Sequence, residues 1–241
     1  ADHARDTLGA GAAPSGAVPV VFSAKAMAQL LGTYAAVFSA ENAQKGLSLL
    51  KDKEGTEIAA PIVTLVDDPF YEKSAMPMPF DAEGSPTRRK NVIENGVLST
   101  LLYNLRTAAA AGKETTGNGD KPNYDAKVGV RPFTMYLVSG EMTREQLLEK
   151  AQNGVLINSL GGLHAGANVV SGDFSLQSAG FLIENGKKTA PVRSFTVAGN
   201  FFSLLKSITG IANDPEPPMS PSSTAFVSPS VLVEGLSIAG K

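Results

Sequence analysis

"GFLIENGK", residues 180–187, carries an apolar run that meets Asn185-Gly186. Both turn residues tolerate positive φ, which the two-residue turn between antiparallel strands requires. The same letters, IENG, recur at 93–96 inside "KNVIENGVLSTLLYN", again between two apolar runs. Two such hairpins point to an antiparallel sheet and hint at related β-units, although four matching letters do not prove a duplication.

Working outward, "PVVFS" is a short apolar strand, and Ser23 can cap a helix over 24–38 with Met27, Leu30, Leu31, Tyr34 and Phe38 near one face. "IAAPIVTLVDDP" is a strand with Pro61 near its start and a turn at Asp67-Asp68-Pro69. Residues 71–87 hold Pro77, Pro79 and Pro86 and are expected to be loop. Asn104 can cap an alanine-rich helix that stops at Gly112. "GKETTGNGDKPN" is expected to be a mobile polar loop. "FTMYLVSG" is a strand, and Thr143 with Gln146 forms a capping box for a helix to Asn153. "NFFSLLKSITG" is a helix with an asparagine cap, and "PSVLVEGLSIAG" is the final strand. Strands outnumber helices and lie in hairpins. The expected fold class is therefore α+β, an antiparallel β-rich domain with several short helices.

The chain has 241 residues with net charge −2, a length that can bury a real core. That balance argues against affinity for nucleic-acid phosphates and so against direct nucleic-acid contact. Arg88-Arg89-Lys90 is the one basic run and is expected to be solvated. There are no cysteines, which excludes disulfides, thiolate metal ligands and cysteine nucleophiles. No apolar run approaches membrane-spanning length, so no membrane partner is expected. The start, "ADHARDTLGAGAAPSG", is not the pattern of a signal peptide, which points to the cytoplasm. Residues 1–17 are expected to be a linker or arm from a missing N-terminal domain, and 18–241 the domain itself.

Several separate stretches carry a family resemblance. "GLHAGANVVSGDFSLQSAGFLIENGK", "VAGNFFSLLKSITGIAND" and "PSVLVEGLSIAGK" resemble the C-terminal half of the TldD/PmbA family, and "VDDP", "FDAEGSPTRRKNVIENG" and "TGNG" agree with it in order. The resemblance covers about residues 18–241. It implies one of two branches. TldD-like members carry H-E-x-x-x-H on a helix plus a late cysteine, and bind zinc as peptidases. PmbA-like members, also called TldE, are the partner subunit. Two histidines on one helix can share a metal, and the adjacent glutamate can take a proton from its bound water.

The helix after "PVVFS" should carry those ligands. Counting forward from "PVVFS" puts the three positions on Gly32, Thr33 and Val37; counting back from "VDDP" puts them on Leu31, Gly32 and Ala36. Neither register supplies a ligand. The late cysteine would fall near Ala212, and the two histidines of the chain are His3 and His164. The resemblance therefore implies the PmbA/TldE-like branch. This chain would carry no cofactor, and zinc would sit only on a TldD-like partner. The implied partners are a TldD-like subunit, a second copy in a homodimer, or both, with unfolded or small peptides as substrate. The label "modulator of DNA gyrase" attached to such proteins would then describe an indirect effect.

Three readings of residues 161–187 stay open. His164, Ser171 and Asp173 could form a nucleophilic triad, which would make the chain a zinc-independent hydrolase, but the strand–G-x-S-x-G–helix context is absent. The segment could instead be a peptide-binding groove, with Gly162, His164, Ala165, Ser171, Gly172, Asp173 and Phe174 as the candidate binding residues. A stand-alone homo-oligomer that binds peptides would use the same groove. Alternatively the glycines only permit tight turns, and His164 bonds locally. Asp67-Asp68 as a cation site, and "TTGNGD" as a phosphate loop, are weaker than turn readings of the same residues.

Overall fold

Apolar runs bounded by turn residues give thirteen strands in the computed structural model, which describes residues 9–74, 76–218 and 224–240. They are β1 (Gly16–Phe22), β2 (Leu65–Asp68), β3 (Lys90–Glu94), β4 (Val97–Leu98), β5 (Gly119–Asp120), β6 (Gly129–Val130) and β7 (Thr134–Leu137), followed by β8 (Gly154–Gly161), β9 (Asp173–Glu184), β10 (Lys187–Asn200), β11 (Ile208–Ile211), β12 (Ala225–Val227) and β13 (Val231–Ala239). The α-helices are short: α1 (Ala24–Tyr34), α2 (Ala40–Gln44), α3 (Leu105–Ala111), α4 (Arg144–Ala151), α5 (Leu163–Gly166) and α6 (Phe201–Lys206). The fold is α+β with mostly antiparallel sheets, as the hairpin pattern implies.

The larger sheet runs β1-β8-β9-β10-β13-β11, and β1 also pairs β13, so five of its strands close into a ring. Closure needs β13 to serve two neighbours on one side. Its first half pairs β11, its second half pairs β10, and β1 lies along its other edge. The switch falls at Gly235, whose φ of +72° a side chain would disfavour. Val20, Phe22, Phe174, Leu176, Phe195, Val197 and Ile238 face the main core, and α4 covers a smaller cluster around Leu147, Leu156 and Phe181 on the opposite face. The second sheet, β12-β7-β2-β3-β4, leaves β12 paired on one side only, in parallel with β7.

Both IENG turns behave as the sequence requires. Asn95 and Asn185 take φ of 49° and 50°, and the glycines after them are also positive. Ser23 caps α1, and capping boxes close Asn104–Thr107 and Thr143–Gln146. The helix expected over 24–38 is α-helical only to Tyr34 and continues as a 3₁₀ turn through Phe38. The helix in "NFFSLLKSITG" stops at Lys206, because Ile208–Ile211 is taken by the sheet as β11. Of the expected arm, residues 1–8 lie outside the described residues. Gly11 forms a parallel bridge to Val192, and β1 begins at Gly16.

Three local expectations are corrected. Asp67-Asp68 is not a turn but the end of β2, where all four residues are buried. Lys90 of the basic run is not solvated: its ammonium lies 3.0 Å from Asp67 Oδ2 with both side chains buried. "TTGNGD" is not an exposed mobile loop, since Thr116 and Asn118 are buried there and the Asn118 side chain bridges the same pair. One cause underlies all three: a charge taken out of water must be paired and hydrogen-bonded, and these segments supply the partners.

Candidate functional site

A cleft of about 700 Å³ lies between α1, the 163–169 segment and β12. Its α1 wall is made of small residues, Ala24, Ala28 and Gly32, with Lys25, Gln29 and Thr33 between them. The opposite walls come from Leu163, His164, Ala167 and Val169, and from Glu216, Pro217, Pro218 and Phe226. The lining is mostly apolar with a few polar groups, the composition of a ligand pocket.

The positions at which the resemblance would place metal ligands fall on this cleft in part. Gly32 and Thr33 line it, while Leu31 and Val37 are buried in the core and Ala36 is exposed. None carries a ligating nitrogen, carboxylate or thiolate. The Thr33 hydroxyl donates to the Gln29 carbonyl at 2.9 Å. A Cβ on Gly32 would meet the Phe226 ring at 2.9 Å, so an aromatic ring occupies the space a longer side chain at that position would need. Ala212, at the expected late-cysteine position, is buried in the separate cluster under α4. Among the described residues no group of three or more His, Cys, Asp or Glu is placed to hold a metal. The residues present do not fit a zinc ion of the family type.

The 162–174 segment is a tightly bonded loop. Gly162 opens α5 with φ of 72°, and Asn168 Oδ1 accepts from the amides of Val170 and Ser171. Gly172 has φ of 85°, and its carbonyl accepts from Phe201 N–H, which ties the loop to α6. A Cβ there would meet Phe202 at 2.6 Å, so glycine is required twice over. Phe174 is buried in the core. At the base of the loop, the Tyr34 hydroxyl donates to the Asp173 carbonyl at 2.8 Å, and its ring stacks on Phe201 at 4.5 Å. Burial, then the Asp173 carboxylate, pushes the Tyr34 phenol up to about 12.

The candidate residues therefore separate. His164 lines the cleft and is exposed; Gly162, Ala165, Ser171, Gly172, Asp173 and Phe174 do not line it. Ser171 Oγ accepts from the Asp173 amide at 3.3 Å. Asp173 Oδ1 accepts from Asn200 at 2.9 Å, and the Asn200 and Ser171 bonds hold its carboxyl below the usual range. Among the described residues no hydrogen bond joins His164 to Ser171 or Asp173, so the base-to-nucleophile contact of a triad is not formed. Gln29, Phe226 and the two prolines were not candidates from the sequence. Gln29 and Phe226 lie nearly two hundred residues apart in the chain. No local pattern marks such a pairing.

The sequence model of the PmbA/TldA metallopeptidase C-terminal domain matches residues 15–240. Among solved structures, a Thermotoga maritima protein described as a modulator of a DNA gyrase aligns over 99% of this chain and 53% of its own, with TM-score 0.91 and 41% identity. TldE from Thermococcus kodakarensis aligns over 98% of this chain and 53% of its own, with TM-score 0.88 and 29% identity. A metalloprotease TldD homolog of Haemophilus influenzae is 30% identical over 87% of this chain and 43% of its own length. The chain spans about half the length of the relatives it matches. It belongs to the PmbA/TldA metallopeptidase C-terminal domain family.

Proposed function

We propose that this chain acts as a PmbA/TldE-like, non-catalytic part of a TldD/TldE-type peptidase assembly. In that assembly zinc and bond cleavage belong to a TldD-like partner, and the substrates are unfolded or small peptides. Overall identity does not separate the branches, since the TldE structure and the TldD homolog are 29% and 30% identical to this chain. The observation that carries the reading is local. The metal positions hold Gly32 with Thr33 and Val37, or Leu31 and Ala36, and the Phe226 ring sits on Gly32 where a ligand side chain would extend. Zinc chemistry needs ligands of fixed type and geometry, and among the described residues no group of three or more His, Cys, Asp or Glu is placed to supply them. The role left to this cleft is to hold peptide.

Native mass spectrometry tests this directly, with the protein alone and mixed with a TldD-like subunit from the same source. A hetero-complex that carries zinc only when the partner is present supports the reading. A zinc-free homo-oligomer that ignores the partner overturns it and favours a stand-alone peptide binder.

A further inference from the structure

Away from the cleft, the buried Asp67–Lys90–Asn118 cluster is arranged as more than an ion pair. Lys90 Nζ donates to Asp67 Oδ2 at 3.0 Å and to Asn118 Oδ1 at 3.1 Å. Asn118 Nδ2 donates to the same Asp67 oxygen at 2.8 Å. One carboxylate oxygen thus bridges an amine and the nitrogen of a carboxamide, while the amine also touches the carboxamide's oxygen. The Thr116 hydroxyl donates to Asn118 Oδ1 at 2.8 Å, and Phe133 N–H fixes Asp67 Oδ1 at 2.7 Å. All four polar side chains are buried, and the Phe133 ring centre lies 5.7 Å from Lys90 Nζ. Burial draws the Lys90 ammonium below its usual range, and a desolvated, neutral lysine is a nucleophile. Asn118 Cγ is bonded to the oxygen that Nζ already touches. The terminal amide torsion is soft, so a small rotation brings that carbon under the amine. The fold has already met the entropic cost of bringing the two groups together.

We propose that Lys90 and Asn118 join in an intramolecular isopeptide bond, with Asp67 carrying the protons. Nζ first gives a proton to Asp67, which turns two buried charges into two neutral groups and removes a desolvation cost. Neutral Nζ then attacks Asn118 Cγ, and the Thr116 hydroxyl stabilises Oδ1 as it gains negative charge. Asp67 passes its proton to Nδ2 and takes a second from Nζ. The Cγ–Nδ2 bond breaks, ammonia leaves, and the Nζ–Cγ amide remains beside a neutral Asp67. No oxidant, metal or cofactor is consumed. The bond closes a stretch of 28 residues and ties the start of β3 to the 116–120 segment. In a chain without cysteine it is a covalent staple that needs no disulfide. Ring closure by the Gly119 nitrogen on Asn118 would release the same ammonia. Gly119 N–H is held by Asp81 Oδ2 at 2.8 Å, which opposes that route.

Whole-protein mass spectrometry of the denatured chain tests the proposal. The folded protein, kept warm for days, is expected to fall below its sequence mass by one ammonia. Tandem fragmentation should then find Lys90 and Asn118 in one branched peptide. Lys90→Arg keeps a charge beside Asp67 but offers no neutral amine, and Asn118→Ala removes the acceptor carbon. Both should keep their full sequence mass. Asp67→Asn should slow the loss by about a hundredfold or more, the share that a placed acid–base group supplies. Circular dichroism shows that each variant is folded, and the parent's branched peptide is readable whether or not a variant folds. A parent that keeps its full mass overturns the proposal. Ammonia loss that persists in Lys90→Arg also overturns it, since ring closure at an Asn-Gly pair would then be the source. Loss at the parent's rate in folded Asp67→Asn overturns it as well.

Discussion

Lys90 Nζ lies 3.0 Å from Asp67 Oδ2, and neither side chain reaches solvent appreciably. Asn118 closes the triangle, donating to Asp67 Oδ2 at 2.8 Å and accepting from Lys90 at 3.1 Å, while Phe133 N–H donates to Asp67 Oδ1 at 2.7 Å. Burial draws the Lys90 ammonium below its usual range and Asp67 opposes it. The knot joins three stretches far apart in the chain, at the end of β2, the start of β3 and the 116–120 segment. Just beside it, Asp81 accepts from Gly119 N–H at 2.8 Å.

Breaking that pair from one side leaves a buried charge alone. Asp67→Asn and Lys90→Met should each cost about 3–5 kcal/mol, and the double variant Asp67→Asn/Lys90→Met clearly less than their sum. Urea denaturation of the three variants measures this. Additive losses would show that the pair is not coupled.

Glu54 gives a pH-dependent prediction. Burial pushes its carboxyl up, but Lys113, the Leu101 N–H and the Tyr103 hydroxyl together outweigh this and hold it below the usual range. A carboxyl lowered in the folded state stabilises above its unfolded pKa of about 4.3 and loses that contribution as pH falls through the folded value. Glu54→Gln should therefore be less stable than the parent at pH 6, and the gap should close on acidification towards pH 3. Melting temperatures of both across that range decide it; a constant gap refutes the linkage.

Tyr34 works in the opposite direction. Its phenol is raised to about 12, so the folded state keeps a proton that the unfolded chain gives up near 10. Stability should fall as pH rises from about 10 to about 12, and Tyr34→Phe should lose that part of the decline. At pH 7 the same variant should cost about 1 kcal/mol for the lost bond to the Asp173 carbonyl. Chemical denaturation at pH 7 and at pH 10.5 measures both effects.

Much of the architecture was legible because it rests on local chemistry. The IENG turns and the Ser23, Asn104 and Thr143 caps follow from neighbours within a few residues. The ring closure through β13, the Asp67–Lys90–Asn118 knot and the Phe226 ring on Gly32 depend on pairs far apart in sequence. Polar letters such as "VDDP" and "TTGNGD" suggested surface turns because nothing nearby showed that Lys90 would be buried with them. The missing ligands at 31–37 were readable directly. The cleft that Gly32 and Thr33 line was not, because three of its walls come from residues 163–169 and from segments around 217 and 226.

Gly172 carries the shape of the 162–174 loop. Its φ of 85° disfavours any side chain, and a Cβ would meet the Phe202 ring at 2.6 Å and Asn200 Nδ2 at 3.1 Å. Asn200 caps α6 and also holds the Asp173 carboxylate and the Ser171 carbonyl. Gly172→Ala should thus cost about 1–3 kcal/mol, through backbone strain and displacement of Phe202. It should also loosen α6 against Tyr34, which hydrogen exchange of the Phe201–Leu205 amides would reveal. A melting temperature equal to the parent's would mean that the loop absorbs a methyl group without moving.

His164 separates a binding segment from a catalytic one. Its imidazole is exposed on the cleft rim, and among the described residues it bonds to neither Ser171 nor Asp173. Its removal takes away no packed core atom, so His164→Ala should leave stability within about 0.5 kcal/mol of the parent. It should also leave assembly with a TldD-like subunit unchanged. If the chain had a hydrolase site of its own, the same substitution would abolish turnover, because a general base within reach of its nucleophile supplies a large share of the rate. Peptide hydrolysis by the protein alone, before and after the substitution and with chelator present to silence any zinc enzyme, distinguishes the two. Activity that resists chelator and disappears with His164 would place chemistry in this cleft. Unchanged background in both proteins is the expected result, because among the described residues no hydrogen bond joins His164 to Ser171 or Asp173.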